Sequence, residues 1–112
     1  MKLPNADQAI IPTEKLQNYL LSPNHPVGKF KAAFFRAIGY TNDNWQQLES
    51  EIRALLTLDA YASKSTDYGQ KYEIRGYISS PLGGKVNIVT VWIIRVEEQI
   101  PHFITAYPGD QR

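Results

Sequence analysis

The chain has 112 residues, enough for one domain spanning 1–112 with a single packed core. At 43% hydrophobic and 21% charged it lacks the signature of disorder, and a net charge of +1 excludes a chain-wide basic footprint for nucleic acid, though not a local basic patch. The absence of cysteine excludes a disulfide frame, thiolate zinc, a thiol nucleophile and iron–sulfur chemistry, and with only His25 and His102, far apart in sequence, no metal and no cofactor are expected.

Residues 1–11 are ambiguous, with Ile10-Ile11 readable as a short strand. Pro12 suits the first turn of a helix, and Thr13 to Leu21 continues it, with Leu16, Tyr19 and Leu20 on one stripe. The run from Ser22 to Pro26 breaks the chain. A second helix is predicted from Pro26 to about Ile38, with Val27, Phe30, Phe34 and Ile38 facing the core and Gly39 placed to end it in a left-handed conformation. Thr41-Asn42-Asp43 offers N-caps for a third helix to about Leu58, whose stripe is Trp45, Leu48, Ile52, Leu55 and Leu56. Ala62 to Tyr68 reads as a polar loop.

After Gly69 the period switches to two. Lys71 to Ser79 is a strand with Tyr72, Ile74 and Ile78 on one face and Glu73, Arg75 and Tyr77 on the other. A turn at Ser80 to Gly84 leads to a long strand, Lys85 to Val96, apolar on both faces and so expected at the centre of a sheet with cover on each side. After a second turn, His102 to Tyr107 forms the last strand, with Phe103, Thr105 and Tyr107 expected on one face. The fold class is α+β: about three N-terminal helices packed on a C-terminal antiparallel meander of three to four strands. Met1 to Asn5 is not followed by the apolar run of a signal peptide, and Ile88 to Ile94 is too short to span a membrane, so a cytoplasmic protein with no membrane partner is expected.

Charge is uneven. Residues 15–42 contain Lys15, Lys29, Lys31 and Arg36 and no acid, while acids collect in the third helix and at Glu97-Glu98. The most informative segment is His25-Pro26-Val27-Gly28-Lys29-Phe30-Lys31. With Pro26 as the first helical residue, His25 sits at the N-cap, where free amides and the helix dipole favour an anion. Gly28 leaves the approach open, and Lys29 and Lys31 add charge within one turn. The same positive field disfavours protonated imidazole, so His25 tends to stay neutral, as a general base must. Lys31 borders the apolar stripe and can direct its amine along the sheet edge, whereas Lys29 is exposed and suits loose attraction of a phosphate backbone.

A second group ends the chain. Thr105 and Tyr107 each carry a hydroxyl, and Arg75 and Tyr77 lie on the polar face of the first long strand. Two hydroxyls, a guanidinium and a His/Lys pair suit phosphodiester transfer without a metal, because Lys and Arg can supply the transition-state charge. Tyr68, at a loop edge, and Tyr72 are candidates to border a site and stack on a base; an aromatic such as Trp92 on a central strand belongs to the core. Proline and glycine also punctuate helix starts, and Thr and Tyr are good strand formers, so each group has a purely structural reading as well.

The order Leu3-Pro4-Asn5-Ala6, His25-Pro26-x-Gly28-Lys29-x-Lys31-Ala32, Tyr68-Gly69-Gln70-x-Tyr72, Trp92-Ile93-Ile94 and Thr105-Ala106-Tyr107 resembles, over nearly the whole chain, a family of small bacterial proteins catalogued as a domain of unknown function and common in cyanobacteria. More distantly, a helix-borne His and Lys followed by a meander ending in Thr-Ala-Tyr-Pro is similar to the barnase–EndoU–colicin–RelE class of nucleases. That resemblance implies a metal-independent ribonuclease toxin acting on RNA, paired with a small neutralising protein. His25 then matches the helix histidine, Lys31 the helix lysine, and Thr105 and Tyr107 the last-strand motif. In this reading His25 is the general base, Lys31 and Arg75 stabilise the phosphorane, Tyr107 or Lys31 protonates the leaving oxygen, and Thr105 holds a phosphate oxygen; Gly28, Lys29, Tyr68 and Tyr72 bind substrate. The alternatives are a non-enzymatic antitoxin or immunity component using the acidic third helix and Glu97-Glu98, or a relative that binds RNA without cutting it.

Overall fold

The computed structural model describes residues 1–22, 24–26 and 29–109. Helix α1 (Thr13–Lys15) runs directly into a π-helical turn, Leu16–Leu20; α2 covers Lys29–Ala37; α3 covers Trp45–Ala54 between short 3-10 turns at Asn42–Asn44 and Leu55–Thr57. Four strands follow, β1 (Tyr61–Thr66), β2 (Gly69–Ser79), β3 (Lys85–Arg95) and β4 (His102–Pro108), in one antiparallel sheet of order β1-β2-β3-β4. The architecture is α+β with the helices N-terminal.

The helix boundaries follow from local chemistry. Pro12 has extended backbone and serves as the N-cap of α1, one position before the helical turn expected of it. In α2 the buried residues are Ala32 and Phe35, and Phe30, expected in the core, is 76% exposed; Val27 lies outside the described residues. Phe34 and Phe35 are adjacent, so two apolar stripes about 100° apart compete. The one through small Ala32 lets the helix approach more closely. Gly39 ends α2 at φ +103°, with its N–H donating to Arg36 O (3.0 Å) and the Tyr40 N–H to Phe35 O (2.8 Å). Thr41 caps the next segment: its Oγ1 accepts from the Asp43 N–H (3.2 Å), and Asn44 Oδ1 accepts from the Thr41 N–H (2.8 Å).

The helices cover one face of the sheet. In register, that face carries Tyr72, Ile74, Gly76 and Ile78 of β2 opposite Trp92, Thr90, Ile88 and Val86 of β3. Trp92 is fully buried, its Nε1–H donating to Thr90 Oγ1 (2.9 Å), while the Thr90 hydroxyl donates to Ile74 O (3.0 Å). The expected double cover of β3 takes another form. On its second face Val89 is only 1% exposed, lying in register between Arg75 and Tyr107, whose long side chains shield it without a second layer.

Two sheet expectations are corrected. Residues 62–66, expected in a loop, belong to β1; this edge strand reaches beyond the helical layer and is exposed along most of its length, so it carries no apolar alternation to read. In β4, Val91 pairs with Thr105 but Trp92 with Phe103, so Ile104 is an extra residue. That bulge shifts the phase of the strand. Phe103 turns to the core against Trp92 (ring centroids 5.4 Å apart), and Thr105 and Tyr107 share the opposite face. Ile10 makes a lone parallel bridge to His102 beside β4.

Candidate functional site

The N-terminal helical segment and the β4 edge meet at Tyr19. Its neighbours Leu16 and Leu20 are buried, which fixes the π-helical turn against the core and leaves the Tyr19 ring half-buried with its polar end directed at β4. The Tyr19 hydroxyl lies 3.3 Å from Thr105 Oγ1, a hydrogen bond either oxygen can donate. The imidazole of His25 stands edge-on to the same ring at 5.0 Å. Two ammonium groups approach it: Lys31 Nζ at 5.9 Å from the ring centre and Lys15 Nζ at 5.6 Å. The structure thus gathers His25, Lys31 and Thr105, three of the sequence-selected residues, around a fourth that was placed only on an apolar stripe.

His25 owes its position to the start of α2. Its carbonyl accepts from the Lys29 N–H at 3.0 Å, which ties it to the first residue of α2. Lys31 is half-buried on the side of α2 that faces Tyr19, whereas Lys29 is exposed with its Nζ 5.3 Å from the Phe30 ring. Gly28 lies outside the described residues.

A second group occupies the face of the sheet opposite to Trp92. Arg75 and Tyr107 flank Val89, and Thr105 and Glu73 flank Val91 one row along. Arg75 pairs with Glu73 at 3.6 Å. Burial pushes the Tyr107 pKa above the ordinary tyrosine value; the negative charge of Glu73 adds to this, the Arg75 guanidinium opposes it, and a hydrogen bond to Glu73 adds again. Tyr107 therefore holds its proton more firmly than an ordinary tyrosine. Thr105 and Tyr107, two positions apart on β4, join the two groups.

The remaining candidates stand apart. Tyr68 lies on the β1–β2 turn, highly exposed, at the sheet edge opposite β4. Tyr72 is on the helix-covered face opposite Trp92, partly buried against the core, and does not join the second group. Three participants are not singled out by the sequence. Lys15 and Lys31 meet at Tyr19 only through folding, and Glu73 reads only as one polar residue on the outer face of its strand. The legible signal for Tyr19 was a phenol at the border of an otherwise aliphatic stripe.

The described residues enclose no pocket here, and Tyr19, His25, Lys31 and Thr105 are each partly exposed. Among the described residues no cluster of three His, Asp or Glu is placed to hold a metal ion, and no helix is long and apolar enough to cross a membrane. The acids of the third helix are turned to internal use: Glu49 pairs with Arg53 at 3.3 Å, and Glu51 Oε1 accepts from the Ser79 N–H at 2.7 Å.

A family model described as "Domain of unknown function (DUF6883)" matches residues 2–110. Among solved structures, the chain is similar in fold to a chain of the contact-dependent growth inhibition toxin–immunity protein complex from Klebsiella pneumoniae 342, with 13% identity and a TM-score of 0.68 over 95% of this chain and 97% of that one. No curated protein matches it.

Proposed function

The chain belongs to the DUF6883 family, and from that premise we propose that it is a metal-independent endoribonuclease, the toxin member of a toxin–immunity pair. The observation that supports this most is the meeting of His25, Lys31 and Thr105 around Tyr19, with Tyr107 on the same face of β4 as Thr105 and Arg75 in register with it across Val89. A polymer substrate needs an open surface, and phosphodiester transfer needs these groups. The fold shared with a chain of a growth inhibition toxin–immunity complex supports the same class.

In the proposed reaction His25 takes the proton of the ribose 2′-hydroxyl as that oxygen attacks phosphorus. Lys31 and Arg75 stabilise the charge on the phosphorane oxygens, and Thr105 donates to one of them. The bond from phosphorus to the 5′-oxygen breaks as Tyr107 or Lys31 supplies the proton to the leaving oxygen. The products are a 2′,3′-cyclic phosphate and a 5′-hydroxyl. A small neutralising protein is the second partner.

The test is incubation of the purified protein with RNA in excess chelator. We expect cut RNA bearing cyclic phosphate ends, and His25→Ala and Lys31→Ala each abolish cutting. Cutting that survives both substitutions, or RNA left intact by the folded wild type, overturns the assignment.

A further inference from the structure

We infer that Tyr19 is the floor of a phosphate-binding site to which Lys15 contributes alongside Lys31, with the hydroxyls of Tyr19 and Thr105 as hydrogen-bond donors. This deepens the ribonuclease reading and rests on it for the source of the ligand, a phosphodiester of an RNA backbone.

The charge balance points to an anion. Lys15 and Lys31 both stand within 6 Å of one ring centre and both are half-buried. Among the described residues neither has a carboxylate within ion-pair distance. The stretch from Lys15 to Asn42 contains no acid at all. A ring quadrupole attracts each ammonium, but it carries no net charge to neutralise them. The hydroxyl pair leads to the same conclusion. At 3.3 Å, Tyr19 and Thr105 share one hydrogen bond, which uses one of their two protons and leaves the other O–H able to donate. Two point charges and a hydroxyl donor form a phosphate-binding set, since lysine recognises phosphate as a charge and needs no bidentate geometry. The site adjoins the His25 ring, edge-on to Tyr19 at 5.0 Å, so a phosphate held there lies next to the proposed base.

The experiment uses the full chain and an oligoribonucleotide blocked against cutting by 2′-O-methyl groups, with binding followed by fluorescence anisotropy over a salt series. Inorganic phosphate and a nucleoside monophosphate are tested in parallel arms. Lys15→Gln and Lys31→Gln should each lower the slope of log K against log salt by about 0.7, the value for one contact to a single strand. Lys64→Gln, on the opposite edge strand, should leave it unchanged. Tyr19→Phe, which keeps the ring, should weaken binding about tenfold, as expected for a lost bond to a charged group. Tyr19→Leu should weaken it further, with folding checked by circular dichroism.

Binding of phosphate or the mononucleotide alone, sensitive to Lys15→Gln, would uphold the site and remove RNA as its source. Wild-type affinity and salt slope in both Lys15→Gln and Tyr19→Phe would overturn the site, while RNA cutting that depends on His25 would leave the ribonuclease assignment intact. No binding of any probe by the wild type would also overturn it.

Discussion

Tyr19 and Thr105 are 86 positions apart in sequence and share a hydrogen bond at 3.3 Å, tying the first helical segment to the last strand. The contact exists because a bulge at Ile104 turns Thr105 away from the core, out of phase with Phe103. In a strand of unbroken alternation Thr105 would share the core face with Phe103.

If Thr105 holds a phosphate oxygen, its hydroxyl matters more to cutting than to folding. Thr105→Val keeps the shape and β-branching of the side chain. We expect kcat/KM for RNA to fall about tenfold or more, in line with loss of one hydrogen bond to a charged group. The melting temperature should change little, because the half-buried Tyr19 hydroxyl can turn to water. Thr105→Ser should retain most of the activity. Equal activity in wild type and Thr105→Val would remove Thr105 from the reaction.

Tyr107 and Glu73 make a pH prediction. The Tyr107 pKa is raised in the folded protein, by burial first and by Glu73 next. The folded state therefore keeps a proton that the unfolded chain releases near pH 10. This stabilisation is complete below that pH and is lost as pH climbs from the unfolded value through the folded one. Glu73→Gln should bring the Tyr107 titration down and make the alkaline loss of stability shallower. The difference in tyrosinate absorbance between each protein and its Tyr107→Phe variant isolates the signal. An unmoved titration in Glu73→Gln would show that the carboxylate does not act on Tyr107.

Gly76 makes a packing prediction. A Cβ at this position would lie 2.6 Å from Leu55 Cδ2 and 2.8 Å from Leu58 Cδ1, so β2 passes the end of the helical layer with no room for a methyl group. Gly76→Ala should destabilise the protein by about 1–3 kcal/mol, the usual cost of overpacking. The midpoint of urea unfolding measures it, and a shift within error would mean that the two leucines repack freely.

The chain was legible where one physical requirement acted alone. A strand apolar on both faces must sit inside a sheet, and Lys85 to Arg95 does; Gly39 must end α2 because the chain turns there at positive φ, and it does. It was illegible where two requirements competed. Adjacent Phe34 and Phe35 offer two helical stripes, and only the tertiary fit of Ala32 selects between them. A bulge without glycine at Ile104 leaves no local mark, yet it decides which way Thr105 and Phe103 point. The candidate site shows the same division. His25 and Lys31 stand out as a histidine and a lysine close together at a helix start. Tyr19, which links them to β4, reads locally as one more apolar residue beside Leu16 and Leu20.

Growth separates the proposed toxin role from the alternative of an immunity protein. An immunity component would work through its acids, but Glu49 and Glu51 are engaged within the fold and Glu98 lies 3.8 Å from Arg95. The cationic groups around Tyr19 have no such partners among the described residues. Induced expression in a bacterial host lacking any neutralising partner should therefore arrest growth, with His25→Ala expressed to the same level leaving growth normal. Co-expression of a small protein encoded beside the wild-type gene should restore growth. Such rescue should also block RNA cutting in the purified mixture, which links the two readouts to one surface. Normal growth of cells containing folded wild-type protein, together with protection of those cells against a toxin from the same locus, would assign the chain to the immunity class instead.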